Sequence, residues 1–500
     1  MKSYLFEIVA KDCAGRIGRL ETPHGVIETP AILPVVNPFR QNVPPGELAE
    51  IGAEGLITNS YIIHRNMELR SAALEVGVHG FLGFNGPIMT DSGSYQLSQY
   101  GSLDVSSREI VEFQAAIGSD IGVPLDIPTP PDVTFSRAAG ELDVTLERLR
   151  EAACVERGEM LLAGTVQGST FQELRRRAGE EASKLGFDLY PLGAVVPLME
   201  SYRYRDLVWV IVASKQGLPP AAPVHLFGAG HPMMFALAVA LGCDLFDSAA
   251  YALYAKDGRY MTDRGTYHIQ DLRYLPCSCP ICSTHTVGEL ASDEGLIARH
   301  NLYVSFEEMR LVKQCIRDGA LWELVEQRCR AHPNLLAGLK AAVNHSDWIE
   351  RLDRMPKSTF FYSGPESARR SEIRRFERYQ TRFDLKGKVL IKEKNDTIEN
   401  FSDFDYVMDF KPPFGAYPAL LRETYPFNAE VTVWDHEAVL VALENVTRLI
   451  QCNPDANFTF KKPTWIPEKL IKELKKYAHN LTVQLPDNSS TTPTDSCDYE

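Results

Sequence analysis

Short apolar, β-prone runs alternate with longer stretches of helical periodicity through the first 250 residues. The runs at 87–90, 121–125, 161–166, 188–192, 224–227 and 243–246 stop at Asp91, Asp126, Gln167, Gly193, Gly228 and Asp247. Between them the spacing predicts helices. Ile110, Val111, Phe113 and Ile117 share one face of a helix over 107–117, and Leu142, Leu146, Leu149 and Ala152 one face of a helix over 142–154. Helices over 171–185 and 202–213 complete the rhythm. Alternation of this kind gives βαβ units and a parallel sheet, either a closed barrel or a doubly wound open sheet. The barrel is the preferred expectation. In a barrel all strand C-termini lie at one face, where active sites are built, so three aspartates, a glutamine and two glycines would share one mouth.

The pattern changes near residue 272. A cysteine-rich knot is followed by helical periodicity from about 306 to 352, and Pro356, Ser358, Ser363, Gly364 and Pro365 then interrupt it. We therefore expect a catalytic TIM barrel over 1–355, with a zinc-binding subdomain inserted at about 271–305. A smaller α+β domain is expected over 356–486, and a polar disordered tail over 487–500. There is no internal repeat.

Composition excludes some classes. The chain has 500 residues, 44% hydrophobic and 24% charged, which is ordinary for a globular protein with a sizeable core. Its formal net charge of -14 argues against a uniformly basic nucleic-acid binder but leaves room for a local basic patch. The first residues lack the features of a secretory signal, and the most apolar later stretch, at 233–241, is too short to span a bilayer. A soluble cytoplasmic protein is expected. Of the ten cysteines three are clustered and seven scattered, which suggests a metal site with reduced bystanders rather than a disulfide framework.

The cluster is Cys277, Cys279 and Cys282, spaced C-x-C-x2-C. Closely spaced thiolates on a short loop suit tetrahedral Zn2+. A fourth ligand must come from elsewhere, and His285 and His300 are the candidates. Three cysteines and a histidine would close the coordination shell and make the site structural.

Aspartates at strand ends often cap the following helix, and Asp91, Asp126 and Asp247 could each do so singly. Taken together they suggest glycosidic-bond chemistry. One carboxylate attacks the anomeric carbon, and another protonates the leaving group and later deprotonates the incoming one. A third carboxylate beside Gln167 and exposed backbone amides can read a purine edge through paired donors and acceptors.

In their order along the chain, GVIETPAILPVVNP at 25–38, ITNSY at 57–61, DSGSYQ at 91–96, VQGS at 166–169, LFDSA at 245–249 and CSCPIC at 277–282 resemble the tRNA-guanine transglycosylases. The likeness covers roughly residues 1–350. PLMESYRYRD at 197–206, TYHIQDLRYLPCSCPIC at 266–282 and RHNLY at 299–303 resemble the archaeal branch, which inserts 7-cyano-7-deazaguanine at position 15 of the tRNA D arm on the way to archaeosine. The resemblance implies Asp247 as nucleophile at ribose C1′ and Asp91 as general acid/base. It implies base recognition by Asp126 and Gln167 with the backbone near Gly193 and Ala194, and contacts from Ser92 and Tyr95, whose ring can stack on the base. It implies one structural Zn2+ on Cys277, Cys279, Cys282 and His300. The implied substrates are tRNA, guanine and 7-cyano-7-deazaguanine, and a homodimer is expected by analogy. The competing reading is a paralogue or partner subunit that binds tRNA and acts on the inserted base without exchange; it should have lost the aspartates.

Three features depart from that family. Gly193-Ala194 stands where a Gly-Gly pair is usual, so a methyl faces the base site. The interval from Cys282 to His300 is short, which keeps His285 as a rival ligand. PPFGAYPALLRETYPF at 412–427 resembles the first extra domain of the archaeal branch, but no closing RNA-binding PUA barrel follows, so a separate chain is expected to supply it. Residues 369–394 hold ten Lys/Arg against four acids, a balance of +6, with Phe376, Tyr379 and Phe383 interleaved; residues 461–477 hold six lysines against two glutamates. These segments are the expected phosphate contacts. In the second, Leu470, Leu474 and Tyr477 are expected to face the core.

Overall fold

The computed structural model describes residues 5–39, 41–94, 105–358, 360–394, 396, 401–431 and 434–485. Tyr95 and the segment 486–500 lie outside the described residues. The chain divides into two compact units, Met1–Met355 and Pro356–Glu500.

The first unit opens with an antiparallel meander, β1 (Phe6–Asp12), β2 (Gly15–Thr22) and β3 (Gly25–Thr29). Eight parallel strands follow. They are β4 (Ala31–Val36), β5 (Leu56–Asn59), β6 (Ile88–Asp91), β7 (Ile121–Gly122), β8 (Leu161–Leu162), β9 (Tyr190–Leu192), β10 (Val224–Leu226) and β11 (Leu245–Ser248). Their order in the sheet is β8-β7-β6-β5-β4-β11-β10-β9. The two ends meet through parallel bridges Ala163–Leu189 and Val166–Leu192, so the sheet closes into a (β/α)8 barrel.

Strand parity sorts the side chains. Leu33, Ile57, Met89, Ile121, Val123, Leu161, Ala163, Leu189 and Leu245 pack together inside the barrel, with Leu20 and Ile27 of the meander in the same cluster. Their neighbours Ile32, Val224, Leu226 and Phe246 pack with the surrounding helices instead. Alternation has a period of two, so the next inward positions after Ile57, Met89 and Leu245 are Asn59, Asp91 and Asp247. Pleating thus aims these three polar side chains into the barrel mouth.

The helices follow the predicted periodicity, with shifted ends. Ser107–Ala116 begins with a capping box between Ser106 and Glu109. Phe135–Ala153 starts about two turns earlier than its apolar face suggests, because Thr134 caps it by accepting from Arg137 N. Gln172–Ser183 and Tyr204–Gly217 match the remaining two. After the barrel come the hairpin β12 (Arg259–Thr262) and β13 (Gly265–His268), the cysteine loop, and the 25-residue helix Glu294–Asp318. Among the described residues no helix is long and apolar enough to cross a membrane.

The second unit is α+β. Its sheet runs β16-β15-β14-β17-β18, with β14 (Gly387–Lys392), β15 (Tyr406–Lys411), β16 (Gly415–Pro418), β17 (Ala456–Lys461) and β18 (Leu481–Gln484). Val389, Ile391, Phe410, Phe458 and Phe460 pack against Val446, Leu449 and Ile450 of the helix His436–Cys452. Part of the basic segment is internal. Arg370 is buried and ion-paired to Glu372 at 2.8 Å, and Lys392 is buried 4.0 Å from Asp409. Phe376 is core, whereas Tyr379 is exposed and meets Phe383 edge-on at 5.4 Å. Arg378, Arg382, Lys386 and Lys388 remain exposed. In the helix Glu468–Tyr477 the buried positions are Ile471 and Leu474, with Leu470 half-buried and Tyr477 exposed. The apolar face is therefore rotated from the expected one, and Lys469, Lys472, Lys475 and Lys476 lie outside.

Candidate active site and candidate metal centre

Asp91 ends β6. The N–H of Gly93 donates to its Oδ1 at 3.3 Å, and Asn59 Nδ2 donates to its Oδ2 at 2.9 Å. Its carboxyl is pushed up to about 7. Burial is the largest cause, the Gly93 N–H opposes it, and the charges of Asp126 and Asp247 add to the rise. A carboxyl tuned near neutrality can give and take a proton at working pH.

Asp247 is the penultimate residue of β11, at the same parity. Its Oδ1 accepts from Gly228 N at 2.8 Å and lies 2.9 Å from His225 Nε2. His225 is the fully buried inward residue of β10.

Asp126 and Gln167 meet, with Gln167 Nε2 donating to Asp126 Oδ2 at 2.5 Å. Asp126 N donates to Ser94 Oγ at 3.1 Å, and Ser94 Oγ lies 3.0 Å from Ser92 Oγ. Burial raises the Asp126 carboxyl, against hydrogen bonds with Ser94 and Gln167. Gln167 is fully buried, yet its Oε1 has no hydrogen-bond partner among the described residues. A buried acceptor without a donor costs about 1–3 kcal/mol, which a ligand N–H would recover.

Gly193 closes this side. A Cβ there would collide with Gln167 Nε2, so the close approach itself requires glycine. Ala194 follows in the left-handed region at φ 57°. Arg175, fully buried in the helix Gln172–Ser183, donates to Val166 O at 2.7 Å, Ser169 O at 2.8 Å and Gly193 O at 2.9 Å. It ties the loops after β8 and β9 together. Burial lowers its guanidinium to about 9.

Asp91 and Asp247 lie at strand C-terminal ends and Ser92, Asp126, Gln167, Gly193 and Ala194 beyond them, at one face of the barrel, while Tyr95 lies outside the described residues. Sequence reasoning missed Asn59, Arg175 and His225. The signal for Asn59 and His225 was present: each is a polar residue at an inward position of a strand.

Cys277, Cys279, Cys282 and His300 bring their ligand atoms within 4.8 Å of one another. His300 Nδ1 lies 3.2 Å from Cys282 Sγ and 3.6 Å from Cys279 Sγ. Its other nitrogen, Nε2, is 2.9 Å from Met261 O, an acceptor only. Nε2 therefore carries the hydrogen, and Nδ1 presents its lone pair to the sulfurs, as a metal ligand must. Tyr260 stacks on the imidazole at 3.6 Å and fixes its plane. His285 is not in the cluster; its Nδ1 is occupied by Thr284 Oγ1 at 2.9 Å and Ile281 O at 3.0 Å. The donor set of three sulfurs and one imidazole fits a metal ion.

A sequence profile of the family described as "Queuine tRNA-ribosyltransferase" matches residues 12–334. A protein of Methanosarcina barkeri named "tRNA-guanine(15) transglycosylase" is 60% identical over 480 residues, which cover 95% of this chain and 98% of that one. Proteins of the same name from Haloarcula marismortui and Archaeoglobus fulgidus are 53% identical over 470 residues and 50% identical over 463. Those alignments cover 92% and 91% of this chain, and 95% and 94% of the relatives. The matched span contains the whole barrel, both strand-end aspartates and the Cys3His cluster, so the chain belongs to the queuine tRNA-ribosyltransferase family of glycosyltransferases.

Proposed function

We propose that this protein replaces guanine at position 15 of tRNA with 7-cyano-7-deazaguanine by double displacement through Asp247. The observation that carries the reading is the pairing of two unlike carboxyls at one mouth. Asp247 is held on one oxygen by Gly228 N, and Asp91 is pushed up to about 7. Environments that differ in this way separate a nucleophile from an acid/base.

Asp247 attacks ribose C1′. The C1′–N9 bond breaks, its electron pair goes to the departing guanine, and Asp91 supplies the proton. The ribose is then esterified to Asp247. In the second half the deazaguanine N9 attacks C1′, its proton passes to Asp91, and the ester C–O bond returns its electrons to Asp247. Two inversions retain configuration. One glycosidic bond replaces another, so no nucleotide hydrolysis is required. Asp126 and Gln167 read the purine edge, with Ser92, Gly193 and Ala194 around it and Tyr95 as the stacking ring. The target base must leave its stack to reach the mouth.

Cys277, Cys279, Cys282 and His300 would hold one structural Zn2+, which cross-links the cysteine loop to the long helix. The exposed Arg378, Arg382, Lys386 and Lys388 make the second unit an RNA-binding accessory domain over 356–486. A homodimer working in the cytoplasm finishes the reading.

Labelled guanine, competed by 7-cyano-7-deazaguanine, should enter unmodified tRNA at position 15. Denaturing electrophoresis should trap a tRNA–protein adduct in the native enzyme and none in Asp247→Asn. An adduct that persists in Asp247→Asn would overturn the assignment.

A further inference from the structure

We propose that His225 is a positioning residue for the covalent step: it holds Asp247 Oδ1 so that Oδ2 is the oxygen presented to C1′. The proposal rests on the reading of Asp247 as nucleophile.

His225 is the middle residue of β10, and its flanking Val224 and Leu226 face the helices. It is therefore the inward residue, one strand away from Asp247, since β10 and β11 pair in parallel with His225 opposite Leu245. Its Nε2 lies 2.9 Å from Asp247 Oδ1, and the ring is set edge-on against Phe227 at 4.7 Å. An ionised carboxylate only accepts, so Nε2 carries the hydrogen. Nδ1 is buried without a partner, so a hydrogen placed there would be an orphan donor. The arrangement selects the ring with one hydrogen, on Nε2, as a directed donor.

The second donor to Oδ1 is Gly228 N at 2.8 Å. Two donors converge on this oxygen, and among the described residues Oδ2 has none. Hydrogen bonds reduce the electron density of the oxygen that accepts them, and they fix the carboxylate plane. Oδ2 keeps its lone pairs unshared. When Oδ2 bonds to C1′, Oδ1 becomes the ester carbonyl oxygen and the two donors remain on it, so neither must move during attack. A buried imidazole spent on one carboxylate oxygen is costly as mere packing, because its Nδ1 has no partner, and positioning explains why it is there.

The test uses full-length protein with tRNA and three variants. His225→Phe removes the donor, and His225→Gln can return an N–H from Nε2. In His225→Phe, kcat should fall about 10²-fold, the usual consequence of a misplaced reacting group, while KM for tRNA stays within about threefold. Adduct formation should slow by the same factor. His225→Gln should recover to within about tenfold of native. An unchanged kcat in His225→Phe overturns the proposal, as does a folded His225→Gln that is as slow as His225→Phe. Asp247→Asn separates the layers: an adduct surviving there defeats the nucleophile assignment and this proposal with it. Should the phenylalanine variant not fold, nitrogen-15 spectra of histidine-labelled native protein decide. A ring hydrogenated on Nε2, whose signal shifts in Asp247→Asn, supports positioning, and one hydrogenated on Nδ1 refutes it.

Discussion

Asn59 works in two directions: its Nδ2 donates to Asp91 Oδ2 at 2.9 Å, and its Oδ1 accepts from Ile62 N at 2.9 Å. The second bond caps the helix Ser60–Arg65, and the first fixes the Asp91 carboxyl on the neighbouring strand, where the two residues stand opposite each other in register. Asn59→Asp preserves the cap acceptor and replaces the donor with a like charge. We expect a loss of about 1–3 kcal/mol, because the cap survives but Asp91 Oδ2 loses its donor. Base exchange should drop by about 10²-fold, because the Asp91 carboxyl loses its orientation. Thermal unfolding and single-turnover guanine release measure the two effects separately, and an unaltered release rate would refute the role given to Asn59.

The raised Asp91 carboxyl links pH to both activity and stability. It ionises near 7 in the folded chain, against 3.8 for an ordinary aspartate. Between those values the folded state holds a proton that the unfolded state has lost. Stability from this group is therefore full below about pH 4 and is lost as pH rises through about 7. Asp91→Asn removes the linkage. Its stability relative to native should increase from about pH 5 to about pH 8, by on the order of a few kcal/mol. With Asp91 in the proposed role of proton donor, its protonated form is depleted above about pH 7, so the adduct should form more slowly there. A flat profile for adduct formation, or a stability difference that does not move with pH, would count against the shift.

The aspartates were legible because each ends an apolar run, and a run that stops at a carboxylate marks a strand C-terminus. Asn59 ends its strand as Asp91 does and His225 interrupts the run at 224–227, so their polarity was visible, and the observed parity adds that they point inward. The closure of the barrel was equally hidden. It depends on Ala163 meeting Leu189 and Val166 meeting Leu192, pairings set by strand tilt rather than by any residue type. The cysteine spacing announced a metal site, but it could not choose between His285 and His300. The choice follows from Met261 O, which takes the hydrogen of His300 Nε2 and turns Nδ1 towards the sulfurs. The charge count at 369–394 overstated the basic surface, since Arg370 and Lys392 are consumed by buried carboxylates.

The metal centre should be separable from the chemistry. Cys282→Ser removes one sulfur from the cluster and leaves the barrel mouth untouched. On the proposed reading of one Zn2+ per chain, zinc content should fall to near zero. The unfolding midpoint should drop by roughly 2–4 °C for each kcal/mol of lost cross-linking. Elemental analysis with calorimetry tests this. A variant that keeps its zinc would return His285 or another group to the ligand set.

Ala194 is a strained residue next to Gly193 at the barrel mouth. Its φ of 57° suits glycine, and an alanine there costs about 1–2 kcal/mol relative to an unstrained backbone. Ala194→Gly relieves that strain but gives the unfolded chain more freedom, worth about 0.4–1 kcal/mol in the opposite sense. The net expectation is a gain of roughly 0.5–1 kcal/mol in unfolding free energy. The methyl also stands next to Gly193, where even a Cβ would strike Gln167. In the proposed pocket its removal leaves Asp126 and Gln167 unchanged. KM for guanine and for 7-cyano-7-deazaguanine should then move by unequal factors, while kcat for either stays within about threefold, since no group that touches C1′ has changed. Equal shifts for both bases would show that Ala194 shapes the loop and not the choice of base.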